Sequence, residues 1–160
     1  RITNTPEQER SLSFSPDGRS LVYAGERNNN WNIYHTSITR KEEPYFYAST
    51  VLKEDAIIAT DAEEFQPIFS PDGKEIAYLE ERVTLRVYNL ASKTSRTVLP
   101  NQYNYSYSDG DQYFTWSPDS KYLLSSFIPK GGQIFMNEIA LIHADGKSEP
   151  INLTQSGYSD

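Results

Sequence analysis

The sequence predicts an all-β fold, a partial β-propeller of about three four-stranded antiparallel blades. A Ser-Pro-Asp-Gly-type turn occurs three times, within residues 14–19, 69–74 and 116–121, and short apolar runs flank each copy. The prolines of the copies lie 55 and 47 residues apart, near the roughly 40–45 residues of a four-stranded propeller blade. Aromatic residues form 13% of the chain, which suits the half-buried surfaces of strands.

The three copies share the chemistry of a tight hairpin turn. Proline presets φ at the first central position, aspartate follows, and glycine adopts a positive φ. The turn residues are Pro16, Asp17 and Gly18, then Pro71, Asp72 and Gly73, then Pro118, Asp119 and Ser120. Because a serine replaces the last glycine, its backbone is expected to carry strain of roughly 1 kcal/mol. No copy has the spaced acidic series of a calcium loop, so the aspartates are interpreted as turn residues and no metal site is predicted.

The first blade is predicted at residues 11–64, after a tail of a preceding blade at residues 1–10. Its strands are expected at 11–15, 20–25, 31–38 and 56–59. An insertion between its third and fourth strands, residues 39–55, explains why the first repeat spacing is the longer one. The insertion includes the aromatic run Tyr45-Phe46-Tyr47.

The second and third blades are predicted at residues 65–111 and 112–154, and residues 155–160 lead into a following blade. Strands of the second blade are expected at 66–70, 75–80, 85–90 and 96–99, and those of the third at 113–117, 122–127, within 137–143, and at 150–154. Full propellers usually have four to eight blades. The sequence therefore predicts a segment of a larger propeller, with an open face at each end.

The composition excludes several classes of function. A net charge of −7 argues against binding to nucleic acid or anionic membranes, and no apolar run approaches the roughly 20 residues of a membrane span. The chain has no cysteine and only two histidines, His35 and His143, which belong to different blades. It also lacks a Gly-x-Ser-x-Gly elbow. We therefore predict no catalytic residues and no cofactor in this segment.

One face of the predicted propeller carries candidate binding residues. The loops after each second strand and the junctions between blades share this face. The candidates are Asn30, Trp31, Arg82, Tyr103, Tyr105 and Tyr107. Tyrosine offers an apolar body and a polar tip, which suits peptide or sugar recognition. The alternative interpretation is that these are ordinary loop tyrosines and blade-packing residues.

The repeated hairpin resembles the TolB-type propeller repeats, which belong to the wider group of WD40-like propellers. Four longer stretches resemble the N-terminal propeller of bacterial tricorn-type serine proteases: residues 31–34, 40–44, 65–67 and 107–112. This resemblance implies a non-catalytic scaffold that guides or filters peptide substrates for a separate protease domain. It further implies that the other blades and that domain are partners, in the periplasm or cell envelope. Ser120 departs from the repeat pattern.

Two alternatives and one further expectation accompany this interpretation. The chain is alternatively a TolB-like protein-binding propeller with no attached enzyme, or part of a sugar-processing propeller enzyme, which the scarcity of histidine disfavours. The open faces of the first and third blades are expected to drive self-association. That expectation fails if the 39–55 insertion or the termini cover those faces.

Overall fold

The computed structural model describes residues 2–3, 6–101, 113–132 and 137–155. They form three four-stranded antiparallel sheets, each with its strands in simple meander order. A 3-10 turn, Phe46–Ala48, lies between the third and fourth strands of the chain. The predicted fold class is confirmed: the chain is an all-β partial propeller of three blades. No helix in the described part of the chain is long and apolar enough to cross a membrane.

The strands follow one another without crossovers. Blade 1 contains β1 (Glu9–Phe14), β2 (Ser20–Arg27), β3 (Asn30–Ile38) and β4 (Leu52–Ile58). Blade 2 contains β5 (Glu64–Phe69), β6 (Glu75–Glu80), β7 (Thr84–Asn89) and β8 (Thr94–Leu99). Blade 3 contains β9 (Phe114–Trp116), β10 (Tyr122–Phe127), β11 (Glu138–His143) and β12 (Ile151–Asn152).

The first strands of blades 1 and 2 begin two residues earlier than the sequence pattern indicates. A register shift interrupts the ladder between Arg10 and Ser13 in β1, and another lies between Phe65 and Ile68 in β5. The bulged strands carry non-glycine residues with positive φ, Ser11 at 55° and, in β5, Gln66 at 51°. A bulge breaks the period-two alternation, so the residues before it do not read as strand.

The fourth strand of blade 1 also differs from the expectation. It begins at Leu52, whereas the sequence placed a strand only at 56–59 and an insertion over 39–55. The insertion therefore spans residues 39–51. The early part of β4 includes Lys53, Glu54 and Asp55, whose charges resemble a loop. These side chains are tolerated because β4 is the outer edge strand of its sheet.

The core lies between the sheets and runs through all three blades. Val22 and Ile33 in blade 1, Leu79 in blade 2, and Leu123 and Ile142 in blade 3 are all completely buried. They belong to one contiguous apolar cluster. β10 alternates buried and half-buried positions, whereas β2 and β6 are buried along most of their length, as expected of strands inside a stack of sheets. The blades therefore stack in chain order, and blade 2 is covered on both sides.

Candidate functional site

Each hairpin turn is held by the same three hydrogen bonds. In blade 2, Ser70 Oγ donates to Asp72 Oδ1 at 2.7 Å and accepts from Glu75 N at 3.0 Å, while Lys74 N donates to the same carboxylate at 3.1 Å. The equivalent bonds in blades 1 and 3 are centred on Asp17 and Asp119. The serine hydroxyl lowers the pKa of each aspartate below its usual value, because it stabilises the ionised carboxylate.

The residue after each aspartate has a left-handed backbone. The φ angles are 69° at Gly18, 72° at Gly73 and 61° at Ser120. The serine therefore holds the conformation that glycine holds in the other copies. Its hydroxyl compensates in part, since Ser120 Oγ accepts a hydrogen bond from Asp72 N at 3.1 Å. This bond joins the turn of blade 3 to the turn of blade 2.

Three cavities lie at equivalent positions along this hairpin face, and each is lined by one of those left-handed residues. Gly18 lines a cavity of 620 Å³ beside blade 1. Gly73 lines one of 250 Å³ between blades 1 and 2, and Ser120 one of 550 Å³ between blades 2 and 3. The left-handed turn residue therefore lines a hollow in each of the three repeats. The side chains around each hollow differ in chemistry.

The first hollow, here called the aromatic cavity, is mostly apolar. Its lining residues are Ile2, Phe14, Gly18, Tyr45, Phe46, Tyr47, Ser49 and Leu52. The ring of Phe46 meets Phe14 edge-on with centroids 5.6 Å apart, and Tyr45 stacks on Tyr47 at 5.4 Å. Tyr47 is 87% exposed and Tyr45 is 57% exposed. The 39–51 insertion therefore presents a pair of stacked rings to solvent above an apolar hollow.

The position of Phe14 explains why this cavity is open. The same turn position holds Phe69 in blade 2 and Trp116 in blade 3, which are 7% and 8% exposed because each packs against the preceding blade. Phe14 is 57% exposed, because in this structure the 39–51 insertion rather than a blade lies against it. The insertion covers only part of the ring.

The rest of the outer face of blade 1 is closed by its own side chains. Tyr23 stacks on Tyr34 with centroids 5.8 Å apart, and the guanidinium of Arg27 lies 4.8 Å from the Tyr34 ring. The Tyr23 hydroxyl donates to the carboxylate of Glu54. Burial is the main cause that raises the pKa of Tyr23, since it disfavours the phenolate. The aromatic cavity is therefore the accessible apolar part of that face.

The second hollow, the acidic cavity between blades 1 and 2, is small. Its charged lining residues are Asp17 and Asp72. His35 also lines it, with its ring edge-on to Phe69 at 6.4 Å. Burial lowers the pKa of His35, because the imidazolium loses hydration, although Asp55 acts in the opposite direction. His35 therefore serves as a neutral packing side chain near neutral pH.

The third hollow, the basic cavity between blades 2 and 3, holds more cations than the others. Its lining residues are Glu75, Arg96, Ser120, Lys121, Tyr122, His143, Ala144, Asp145 and Lys147. Arg96 forms two bonds to Glu75, at 2.8 and 2.7 Å, and a third to the Ala144 carbonyl at 2.6 Å. The His143 ring packs on Tyr122 at 4.8 Å. Lys121 and Lys147 are exposed.

Three of the predicted binding residues make contacts within the protein. Asn30 donates to the Thr60 carbonyl at 2.9 Å. Trp31 is only 8% exposed and packs on Phe65 at 5.5 Å, and the Arg82 guanidinium lies 4.1 Å above that same Phe65 ring. The structure thus joins Trp31 and Arg82 through Phe65, as the packing alternative expects. Tyr103, Tyr105 and Tyr107 lie outside the described residues.

The binding residues predicted from the sequence were expected on the face opposite the hairpin turns, and no binding site was predicted at the hairpin-face cavities. One signal was available, the aromatic run at residues 45–47 in an insertion found in one repeat alone. Lys121 and Lys147 had no such signal, because they are 26 residues apart in the sequence and meet only through the packing of the turns.

The described residues show no catalytic or metal-binding arrangement. They contain no group of three or more His, Asp or Glu side chains positioned to hold a metal ion. His35 packs between blades 1 and 2, and His143 lies between blades 2 and 3. Neither histidine has a described hydrogen bond to a serine, so the described residues show no serine–histidine pair.

The fold is that of TolB-like propeller blades. TolB from Acinetobacter baumannii superposes with a TM-score of 0.60 at 19% identity, over 95% of this chain and 34% of that one. A putative TolB from Agrobacterium tumefaciens superposes with a TM-score of 0.62 at 18% identity, over 94% of this chain and 51% of that one. An oligogalacturonate lyase in complex with manganese superposes with a TM-score of 0.63 at 15% identity, over 90% of this chain and 40% of that one. At such identities the likeness shows the fold alone.

The chain spans between 34% and 51% of the length of these three proteins. None of the three is a tricorn-type protease, so the finer resemblance inferred from the loops is not shown. No protein-family model matches the chain, and no curated protein matches it.

Proposed function

We propose that this segment is a non-catalytic interaction module that binds an extended peptide or protein segment through its aromatic cavity. One observation carries the proposal: the 39–51 insertion leaves Tyr45 and Tyr47 exposed around a 620 Å³ apolar hollow. Exposed apolar patches bordered by polar residues commonly mark interaction sites. Tyrosine rings supply rigid contact area with a polar tip.

The identity of the parent protein is a finer part of this proposal. The loop sequences at residues 31–34, 40–44 and 65–67 support a tricorn-type protease, in which the segment guides or filters peptides for a separate protease domain. The structural likeness to TolB supports a propeller that binds proteins without an attached enzyme. In both cases the segment itself is proposed to bind and not to cleave.

A sugar-processing enzyme is the third candidate, because one structural neighbour is an oligogalacturonate lyase. That lyase is in complex with manganese, whereas the described residues of this chain hold no cluster of three or more metal-binding side chains. We therefore rank this candidate below the other two.

Titration of the 18.3 kDa protein with short unstructured peptides tests the binding site directly. Peptides of about twelve residues carry one central phenylalanine, leucine or serine, and amide chemical shifts report binding. We expect phenylalanine to bind roughly tenfold more tightly than serine, because an aromatic side chain gains about 1.5–3 kcal/mol when fully buried. The shifts should map to residues 44–52 and to Phe14.

A matched pair of variants controls this experiment. Tyr47→Ala should weaken binding of the phenylalanine peptide. Tyr113→Ala removes another exposed ring (78% exposed) on blade 3 and should leave that binding unchanged. Equal binding of all three peptides, or equal loss in both variants, would contradict the proposal.

The absence of catalysis has its own test. The purified segment is incubated with the same peptides, and products are followed by mass spectrometry. We expect no cleavage. Cleavage that persists after repurification and disappears in His35→Ala or His143→Ala would overturn the non-catalytic assignment.

Self-association through the open faces remains a proposal. Blade 3 supports it, since Ile139 is 45% exposed, while Leu85 at the equivalent strand position in blade 2 is fully buried. On blade 1 the insertion covers part of the corresponding face, which should weaken such association. Sedimentation velocity across a wide concentration range measures whether the protein self-associates, and a strictly monomeric species would contradict the proposal.

A further inference from the structure

We infer that the basic cavity between blades 2 and 3 binds a carboxylate group, supplied by an acidic side chain or by the terminus of a bound peptide. The inference deepens the proposed function and rests on it, because it assigns a second, charged subsite on the face that carries the aromatic cavity. The two cavities are tested with different probes, so one assignment can fail without the other.

The first support comes from the repeat itself. Gly73 in the acidic cavity and Ser120 in the basic cavity occupy the same turn position, and so do Ser20 and Glu75. The cavities are therefore equivalent by position but differ in size, 250 against 550 Å³. The fold creates the hollow at each junction, and the side chains decide what each hollow accepts.

The charges of the two cavities are opposite. The acidic cavity is lined by two carboxylates and no lysine or arginine. The basic cavity is lined by Arg96, Lys121 and Lys147 against Glu75 and Asp145, so its lysine and arginine side chains exceed its carboxylates by one and give it a net charge of +1. This local excess of positive charge occurs in a chain whose net charge is −7. A cleft of one sign attracts ligands of the other sign.

The available cations are the two lysines and not the arginine. The Arg96 guanidinium already bonds Glu75 twice and the Ala144 carbonyl once. Neither Lys121 nor Lys147 has a carboxylate within salt-bridge distance among the described residues. The nearby acids are engaged as turn acceptors, since Asp119 accepts from Ser117 and Lys121 N, and Asp145 accepts from Lys147 N.

A carboxylate suits this arrangement better than a phosphate. A bidentate arginine fork is the group that most favours phosphate, and here Glu75 occupies it. The remaining ammonium groups act as point charges, and the net charge of +1 matches a monoanion. Asp145, which also lines the cavity, would repel a dianion more strongly than a monoanion.

Small probes separate the sources of the carboxylate. The probes are N-acetyl-Glu-amide, which has one side-chain carboxylate, N-acetyl-Gly-Gly, which has one terminal carboxylate, and N-acetyl-Gln-amide and inorganic phosphate as comparisons. Amide and lysine side-chain chemical shifts follow each titration. We expect one or both carboxylate probes to shift the resonances of residues 119–122 and 143–147, and the glutamine probe to leave them unchanged.

Lysine variants test the site residues. Lys121→Gln and Lys147→Gln should each weaken binding of whichever carboxylate probe binds the parent protein by about two- to fivefold, the range expected for one exposed ion pair. Lys130→Gln is the matched control, because it makes the same charge change at an exposed position on the opposite face. It should leave the affinity unchanged.

Three outcomes would overturn the inference: equal weakening by all three lysine variants, equal binding of the glutamine probe, or binding of phosphate as tight as that of the carboxylates. Tyr47→Ala separates the two subsites. It should weaken binding of the phenylalanine peptide and leave binding of the carboxylate probes unchanged.

Discussion

Blades 1 and 2 contain the same turn at equivalent positions, yet the structure treats their equivalent residues differently. Phe69 is 7% exposed and Phe14 is 57% exposed. Glu64 is completely buried, whereas its counterpart Glu9 is half-buried and paired with Arg27 at 3.1 Å. Blade 2 has a neighbour on each side, and blade 1 has one neighbour and the 39–51 insertion. The neighbouring blade, and not the repeat sequence, therefore decides the burial of these residues.

The largest contrast is expected from removing the two aromatic rings. Phe69→Ala should destabilise the protein by about 3 kcal/mol, because it leaves a cavity in a packed core. Phe14→Ala should cost less than about 1 kcal/mol, since most of that ring is already in water. Urea unfolding of both variants measures the difference. Equal losses would mean that the outer face of blade 1 is covered in solution.

A smaller contrast is expected at the two turn glycines. Gly73→Val should cost about 2–3 kcal/mol, because a β-branched residue fits φ of 72° poorly and the new Cβ meets Pro16 Cδ at 3.4 Å. Gly18→Val meets no atom within 4 Å and should cost only about 1–2 kcal/mol from its backbone. Denaturant midpoints rank the two, and a larger loss at Gly18 would contradict the role of the blade junction.

The third contrast concerns pH at the equivalent glutamates. Burial is the main cause that raises the pKa of Glu64 above its usual value, and hydrogen bonds from Thr60 reduce the effect. A raised pKa in the folded state means that the stabilising contribution is complete below the unfolded value near 4.5 and is lost as pH rises through the folded value. Glu64→Gln should therefore gain stability relative to the parent protein between pH 4 and pH 8.

Glu9→Gln is the matched control for that experiment. It removes the ion pair with Arg27, so it should lose up to about 1 kcal/mol at pH 8. Thermal unfolding at pH 4 and pH 8 compares the variants with the parent protein. A relative stability of Glu64→Gln that does not change with pH would sink this interpretation.

The smallest effect is expected at the third turn. Ser120→Gly relieves roughly 1 kcal/mol of backbone strain but removes the bond from Asp72 N to Ser120 Oγ, worth about 1 kcal/mol. The net change should lie within about 0.5 kcal/mol. Ser120→Ala keeps the strain and loses the bond, so it should be destabilising by about 1 kcal/mol. If Ser120→Ala unfolds at the same denaturant concentration as the parent protein, the bond between the turns contributes nothing.

Much of the fold follows from local sequence chemistry. The turn triads, the period between their prolines and the short apolar runs of β6 and β10 predicted the blades, and these two strands have the predicted bounds. Local physics suffices there, because proline and glycine fix turn dihedrals and a short apolar run bounded by turns forms a buried strand. Bulges at Ser11 and Gln66 and the charged edge strand β4 escaped the prediction, since their backbone pairing overrides residue preference.

The candidate site depended far more on tertiary structure. The sequence by itself determined that Tyr45 and Tyr47 lie in an insertion, that Ser120 replaces a glycine, and that the chain is acidic overall. Only the packing of blades decided that Trp31 is buried, that Phe14 is not, and that Lys121 and Lys147 line one cavity. The physical reason is that turns are set by neighbours along the chain, whereas burial and charge clusters are set by residues that are distant in sequence.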